Sequence, residues 1–325
     1  MIQNCNSRHE SSPNCPLTRL TACYARLLRC VPKVMIRPRT DMNRRMLILN
    51  GAQAASDVRD QLGLDLLVPV DPYAIAQDLG IRVRFLPVSM EGFYQKGNPP
   101  RIMLSALRPL ARKAFTCAHE IGHHWFGHGS TIDELRADDR QDSEIPEEVL
   151  ANAFAAFLLM PTIAVRGAFN RRGWKPATAN PLQILTIANE FGVGYETLLT
   201  HVSVTLNDMP HRMRMELGKW TPQRIRKGLL GHDDADGLVI LDDKQRSPAV
   251  DLDEGYALAV PTGANIQGGA LTKSKSQAIE GFDIYDAVAR GRATISTNAW
   301  QTEARIAPAN FVGAANYRFL EDPDG

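Results

Sequence analysis

The chain is short of most features that would place it in a specialised class. Of its five cysteines, Cys5, Cys15, Cys23 and Cys30 fall within the first 30 residues, and Cys117 is alone in the remainder. A solitary thiol cannot close an intramolecular disulfide, which excludes a disulfide-stapled secreted body and makes the cytoplasm the expected compartment. The four early cysteines match no paired C-x-x-C zinc spacing. No apolar run approaches the roughly 20 residues of a membrane-spanning helix, so no membrane role is expected. Charge of one sign is missing too, since the net charge is +1 over 325 residues. Residues 1–45 carry nine Lys/Arg against two Asp/Glu. The rest is therefore net acidic, and the broad basic surface of a nucleic-acid binder is not expected there.

What is present suffices for a sizeable core and more than one domain, with 44% hydrophobic residues. Residues 1–45 mix Pro, Ser, Asn and Arg without periodicity, and read as a disordered basic leader or a mis-assigned start, with translation beginning at Met42 or Met46. Ala52–Leu62 reads as a short amphipathic helix. Asp71-Pro72 supplies the N-cap and first position of another, stopped at Gly80. Residues 81–85, 92–94 and 101–104 read as strands around the turn-rich Gly97-Asn98-Pro99-Pro100. A helix then runs from near Pro109 through His123 to the glycines at 127 and 129, and another from Pro146 to Met160-Pro161. Two more helical segments, 181–191 and 195–202, flank Gly192-Val193-Gly194. Residues 209–235 read as a linker with one short helix. From Gly237 onward the pattern turns strand-like, at 238–241, 256–260, 293–296 and 317–320. No internal repeat is found.

Within the first of the long helices stands His119-Glu120-Ile121-Gly122-His123. Helical spacing puts the two histidines on one face, so both rings can meet one ion, and Glu120 projects about 100° from His119. A catalytic zinc takes three protein ligands and leaves one position for a water, which a nearby carboxylate can deprotonate. The pentapeptide alone arises by accident in about one chain in a hundred of this size. The plain alternative is a pair of surface histidines. Against it, the helix is apolar around the motif (Ala114, Phe115, Ala118, Ile121, Trp125, Phe126), and Gly122 costs about 1 kcal/mol of helix stability. Cys117, two residues before His119, reads as core.

The third ligand has three candidates. His128 lies beyond the expected helix end, and the longer metzincin pattern fails because Phe126 and Gly129 stand where it needs Gly and His. Glu148 lies on the second, apolar helix, where it would give rigid His₂Glu geometry. Glu147 sits about 100° away, nearer solvent. His124 and His128 receive no role and are expected to face solvent near the helix end.

Ala118-His-Glu-Ile-Gly-His123, followed by Glu148-Val-Leu-Ala-Asn152-Ala-Phe154-Ala-Ala-Phe-Leu-Leu-Met160-Pro161, resembles the ImmA/IrrE family of metallopeptidases. The family pattern is A-H-E-x-G-H and then E-x-x-A-N-x-F-A-x-x-L-L-M-P. The resemblance covers about residues 50–205. It implies an α+β chain with a small gluzincin-like metallopeptidase domain, one zinc ion on His119, His123 and Glu148, and Glu120 as general base. Asn152 would hydrogen-bond a ligand or its neighbour. The resulting organisation is a leader at 1–45, a zinc metallopeptidase domain at 46–165, a helical extension at 166–208, a linker at 209–235 and a mainly β domain at 236–325.

Similar proteins are associated with cleavage of helix-turn-helix transcriptional repressors, so the expected partner is a protein substrate of that kind. The strand at Gly92–Tyr94 is a candidate edge for holding an extended peptide, with Tyr94 equally readable as a packing aromatic. Residues 181–202 could themselves form a helix-turn-helix. Their second helix has no Lys or Arg to meet phosphate or guanine, so packing on the peptidase core is the preferred reading and direct nucleic-acid binding is not expected. The basic stretch 211–227 reads as a solvated linker. The competing function is a DNA-binding or scaffold regulator with a vestigial metal site.

Overall fold

The computed structural model describes residues 44–129, 131–132, 145–275 and 280–320, and the expected leader lies outside them except for its last two residues. Those two open α1 (Arg44–Gln61), which starts earlier than the sequence reading placed it. Leu47, Gly51, Ala54, Ala55 and Val58 form its buried stripe at spacings of three and four. That stripe packs along α4 (Pro146–Leu159).

Asp71 caps α2 (Pro72–Asp78), its Oδ1 accepting from the backbone N–H of Tyr73 at 2.8 Å and of Ala74 at 3.3 Å. Next come β1 (Arg82–Leu86), β2 (Gly92–Gln95) and β3 (Arg101–Ser105). In β1 the alternation exposes Arg82 and Arg84 and buries Val83 and Phe85. β1 and β3 run parallel, whereas β2 pairs antiparallel with β3 and with the two-residue β4 (Thr131–Ile132). The latter pairing corrects the edge-strand expectation, because Phe93 and Tyr94 already have a neighbouring strand on each side. Across β2 and β3, and against α4, lies α3 (Leu110–Phe126).

Beyond Pro161 the chain forms α5 (Thr162–Arg171), α6 (Pro181–Glu190) and α7 (Tyr195–Thr200), the last continuing into a wide π turn at His201–Thr205. Residues 209–235, read as a linker with one short helix, instead carry two, α8 (His211–Leu217) and α9 (Pro222–Leu230). Leu217, Ile225 and Leu230 are buried in the main core, so sparse apolar residues at well-spaced positions were enough to dock both helices.

The C-terminal part is β-rich, as expected. One four-stranded sheet has the order β5 (Gly237–Ile240), β7 (Tyr256–Pro261), β10 (Phe282–Ala287), β9 (Leu271–Lys273). The other has the order β6 (Ala249–Asp253), β12 (Gln301–Ala307), β11 (Gly291–Ser296), β8 (Asn265–Gln267). Leu238, Ile240, Ala257 and Ala259 point into the helical core, while Val239, Leu241, Leu258 and Val260 point into a second core shared with the other sheet. Burial on both faces explains why these strands read as continuous apolar runs.

This β region is not set apart from the first sheet and its helices. Its last strand, β13 (Gly313–Ala314), pairs antiparallel with β1 and completes the first sheet. The expected strand at 317–320 is replaced by a 3₁₀ turn at Ala315–Tyr317 that aims Arg318 inward. There Arg318 and Arg305 bind Asp71 at 3.2 and 2.8 Å, and Asp251 at 2.9 and 2.7 Å. Burial raises the Asp251 carboxyl, and Arg318 and Arg305 outweigh it, holding the group below its ordinary range. Lys113 of α3 likewise pairs with Asp253 of β6 at 3.3 Å. Among the described residues one helical stretch, Pro146–Arg171, is long and apolar enough to cross a bilayer by length and composition alone. Its most apolar window is 67% buried within the fold, and Met160-Pro161 interrupts it.

Candidate metal centre

The predicted metal residues come from two helices that touch through their smallest side chains. In α3, His119, Gly122 and His123 share a face at spacings of three and four, as do Glu148, Ala151 and Asn152 in α4. A Cβ at position 122 would stand 3.1 Å from the Ala151 Cα and 3.2 Å from Phe154 Cδ1. Glycine there lets the backbones approach, and the approach carries Glu148 up to both histidines.

The result is a tight donor cluster. His119 Nε2 and His123 Nε2 lie 2.9 Å apart. Glu148 Oε2 is 3.1 Å from the first, and Oε1 is 3.3 Å from the second. Tetrahedral zinc with ligand bonds near 2.0–2.2 Å sets neighbouring ligand atoms roughly 3.3–3.6 Å apart. The cluster need open by only a few tenths of an ångström, and two imidazoles with one carboxylate are a normal zinc donor set. Glu147 is not in the cluster.

Electrostatics agree with the geometry. Burial pushes the Glu148 carboxyl up, but hydrogen bonds from His119 and His123 outweigh it and hold the group well below the usual carboxylate range. Asn152 has the role that the resemblance implied, since its Oδ1 accepts from His119 Nδ1–H at 3.1 Å. A metal ion in the cluster would replace the Nε2 hydrogen bonds to Glu148, and with its proton kept on Nδ1 by Asn152, His119 would then offer that ion the Nε2 lone pair. Glu120 follows His119 and is fully buried, and Cys117 is core, its thiol 3.7 Å from the Pro72 carbonyl oxygen.

Two neighbouring histidines depart from expectation. His124 is half-buried, and its Nδ1 shares a 2.9 Å hydrogen bond with the buried Tyr94 hydroxyl, the rings meeting edge to face. His128 is also half-buried, with its Nδ1 2.8 Å from Nδ1 of His123, behind the ligating side of that ring. Burial first, and the neighbouring His123 second, push His128 down to about 4. The missed signal for His128 was Gly127, whose left-handed φ of 71° ends α3 by turning the chain back on itself. A separate cleft of about 990 Å³ lies against the C-terminal strands, bordered by Tyr73, Asn189, Trp220 and Tyr256, and none of the three candidate ligands lines it.

Residues 76–203 match the family model of the M78 peptidases, described as the IrrE N-terminal-like domain. That segment carries the motifs that resemble the ImmA/IrrE family, and the match supports a metallopeptidase-type function. No curated protein matches the chain.

Proposed function

We propose that this IrrE-like chain is a zinc-dependent endopeptidase that cuts a helix-turn-helix transcriptional repressor in the cytoplasm. The observation that carries the reading is the convergence of His119, His123 and Glu148 from two helices onto one point. A single zinc ion there would supply Lewis acidity, lowering the pKa of a coordinated water to about 7 and polarising the scissile carbonyl. Glu120 is the general base: its carboxylate takes the proton from the attacking water and returns it to the departing amine. Asn152 keeps the His119 ring in register through the Nδ1 hydrogen bond.

Direct binding to nucleic acid is not part of the proposal. In the 181–202 pair, α7 has no Lys or Arg and buries Tyr195, Leu198 and Leu199 in the core. The test compares the wild-type chain with Glu120→Gln on the repressor encoded beside this gene, with zinc present. Cleavage should fall by about 10²–10⁴-fold while zinc binding stays stoichiometric. Equal cleavage by both proteins would refute the assignment of Glu120.

A further inference from the structure

We propose that His128 is the positioning residue for His123, fixing which of its ring nitrogens carries the proton and thereby setting the strength of the metal site. The inference rests on the reading of His119, His123 and Glu148 as ligands.

The two Nδ1 atoms stand 2.8 Å apart, a separation that one proton between them explains and that two or none would oppose. His123 directs its Nε2 at His119 and Glu148. A neutral imidazole that offers the Nε2 lone pair to a cation carries its proton on Nδ1. His123 is therefore the donor, the Nδ1 of His128 is the acceptor, and the proton of His128 sits on its own Nε2. The pair is the counterpart of His119 and Asn152, but its source differs: Asn152 reaches across from α4, whereas His128 comes from the reversal that ends the ligand helix itself.

Local structure explains how five residues accomplish this. Gly127 N–H donates to His124 O at 3.1 Å, and His128 N–H donates to His123 O at 3.0 Å. These are the two bonds of a glycine-terminated helix end. The second ties the backbone of His128 to that of the residue whose ring it meets. Phe126 then stacks on the His128 ring at 5.6 Å with the planes 22° apart, while His123 meets it edge-on at 5.0 Å. The acceptor is held from both sides, as a second-layer partner must be if it is to orient a ligand.

The experiment measures zinc affinity of the full chain by chelator competition. It compares wild type, His128→Leu, His128→Asn and His123→Ala, with melting of the metal-free proteins reporting that each is folded. Wild type and both His128 variants should bind one zinc per chain. His128→Leu, which removes the acceptor, should bind about 10–100-fold more weakly. His128→Asn, whose carbonyl can accept the same proton, should recover most of the loss, and His123→Ala should lose stoichiometric binding. Unchanged affinity in His128→Leu, or an Asn variant as weak as the Leu variant, overturns the positioning role. Loss of stoichiometric binding in His128→Leu overturns it as well, by making His128 a ligand. If wild type binds no zinc, the reading of the ligand set falls and the positioning role with it, an outcome distinct from the others.

Discussion

His201 is 2% exposed at the start of the π turn, and its Nε2–H donates to the Met160 carbonyl oxygen at 3.0 Å. Burial pushes its pKa down to about 4, so the folded chain holds it neutral where the unfolded chain, near 6.5, would bind a proton. The sign follows. Its contribution is fully present above pH 6.5 and is lost as pH falls toward 4, by up to about 3 kcal/mol. His201→Gln, compared with wild type by urea unfolding at several pH values, should show a shallower loss of stability across that window. Parallel pH profiles for the two proteins would contradict the assignment. At the residue scale the clustering of His119, His123 and Glu148 was legible in the sequence, because linked motifs fix their identity and spacing. The contacts of His124 and His128 were not legible. Their partners depend on a cap geometry and on a strand, β2, that lies far away in sequence.

At the scale of elements, the site depends on how closely α3 and α4 approach, and Gly122 governs that approach. Gly122→Val would drive a branched side chain into the Ala151 backbone and should destabilise the metal-free chain by about 1–3 kcal/mol. It should also weaken zinc binding, because Glu148 rides on the helix that must retreat. Unchanged affinity by chelator competition would show that the approach is not limiting. Gly127→Ala would place a Cβ at a φ of 71°, at a cost of about 1 kcal/mol, and should loosen His128 without unfolding α3. Helicity by circular dichroism, together with zinc affinity, separates those two effects. Most elements were readable because their caps are local: Asp71-Pro72, Gly127 and the Asn180–Gln183 capping box each stop or start a helix by neighbouring chemistry. Of α8 and α9 only one short helix was expected, because the stretch is rich in Pro, Arg and His and both helices are secured by the docking of Leu217, Ile225 and Leu230.

At the scale of the whole molecule, the β-rich C-terminal part is built into the peptidase part through β13 on β1 and through the Asp71–Arg305–Asp251–Arg318 network. Composition marked this part as mainly β, but it could not reveal that one sheet buries both faces or that a two-residue strand returns to β1. Asp251→Ala would leave Arg305 and Arg318 short of a buried partner and should cost about 3–5 kcal/mol. Calorimetry of the wild type should give one cooperative transition for the residues from 44 onward, where a β domain hinged on a linker would give two. The central claim is that one zinc ion is held by His119, His123 and Glu148. Zinc X-ray absorption of the metal-loaded chain tests it most directly. Two imidazole nitrogens and carboxylate or water oxygen at about 2.0–2.2 Å, at one zinc per chain and lost in His123→Ala, are the predicted result. A sulfur shell near 2.3 Å, or the same spectrum in His123→Ala, would contradict it.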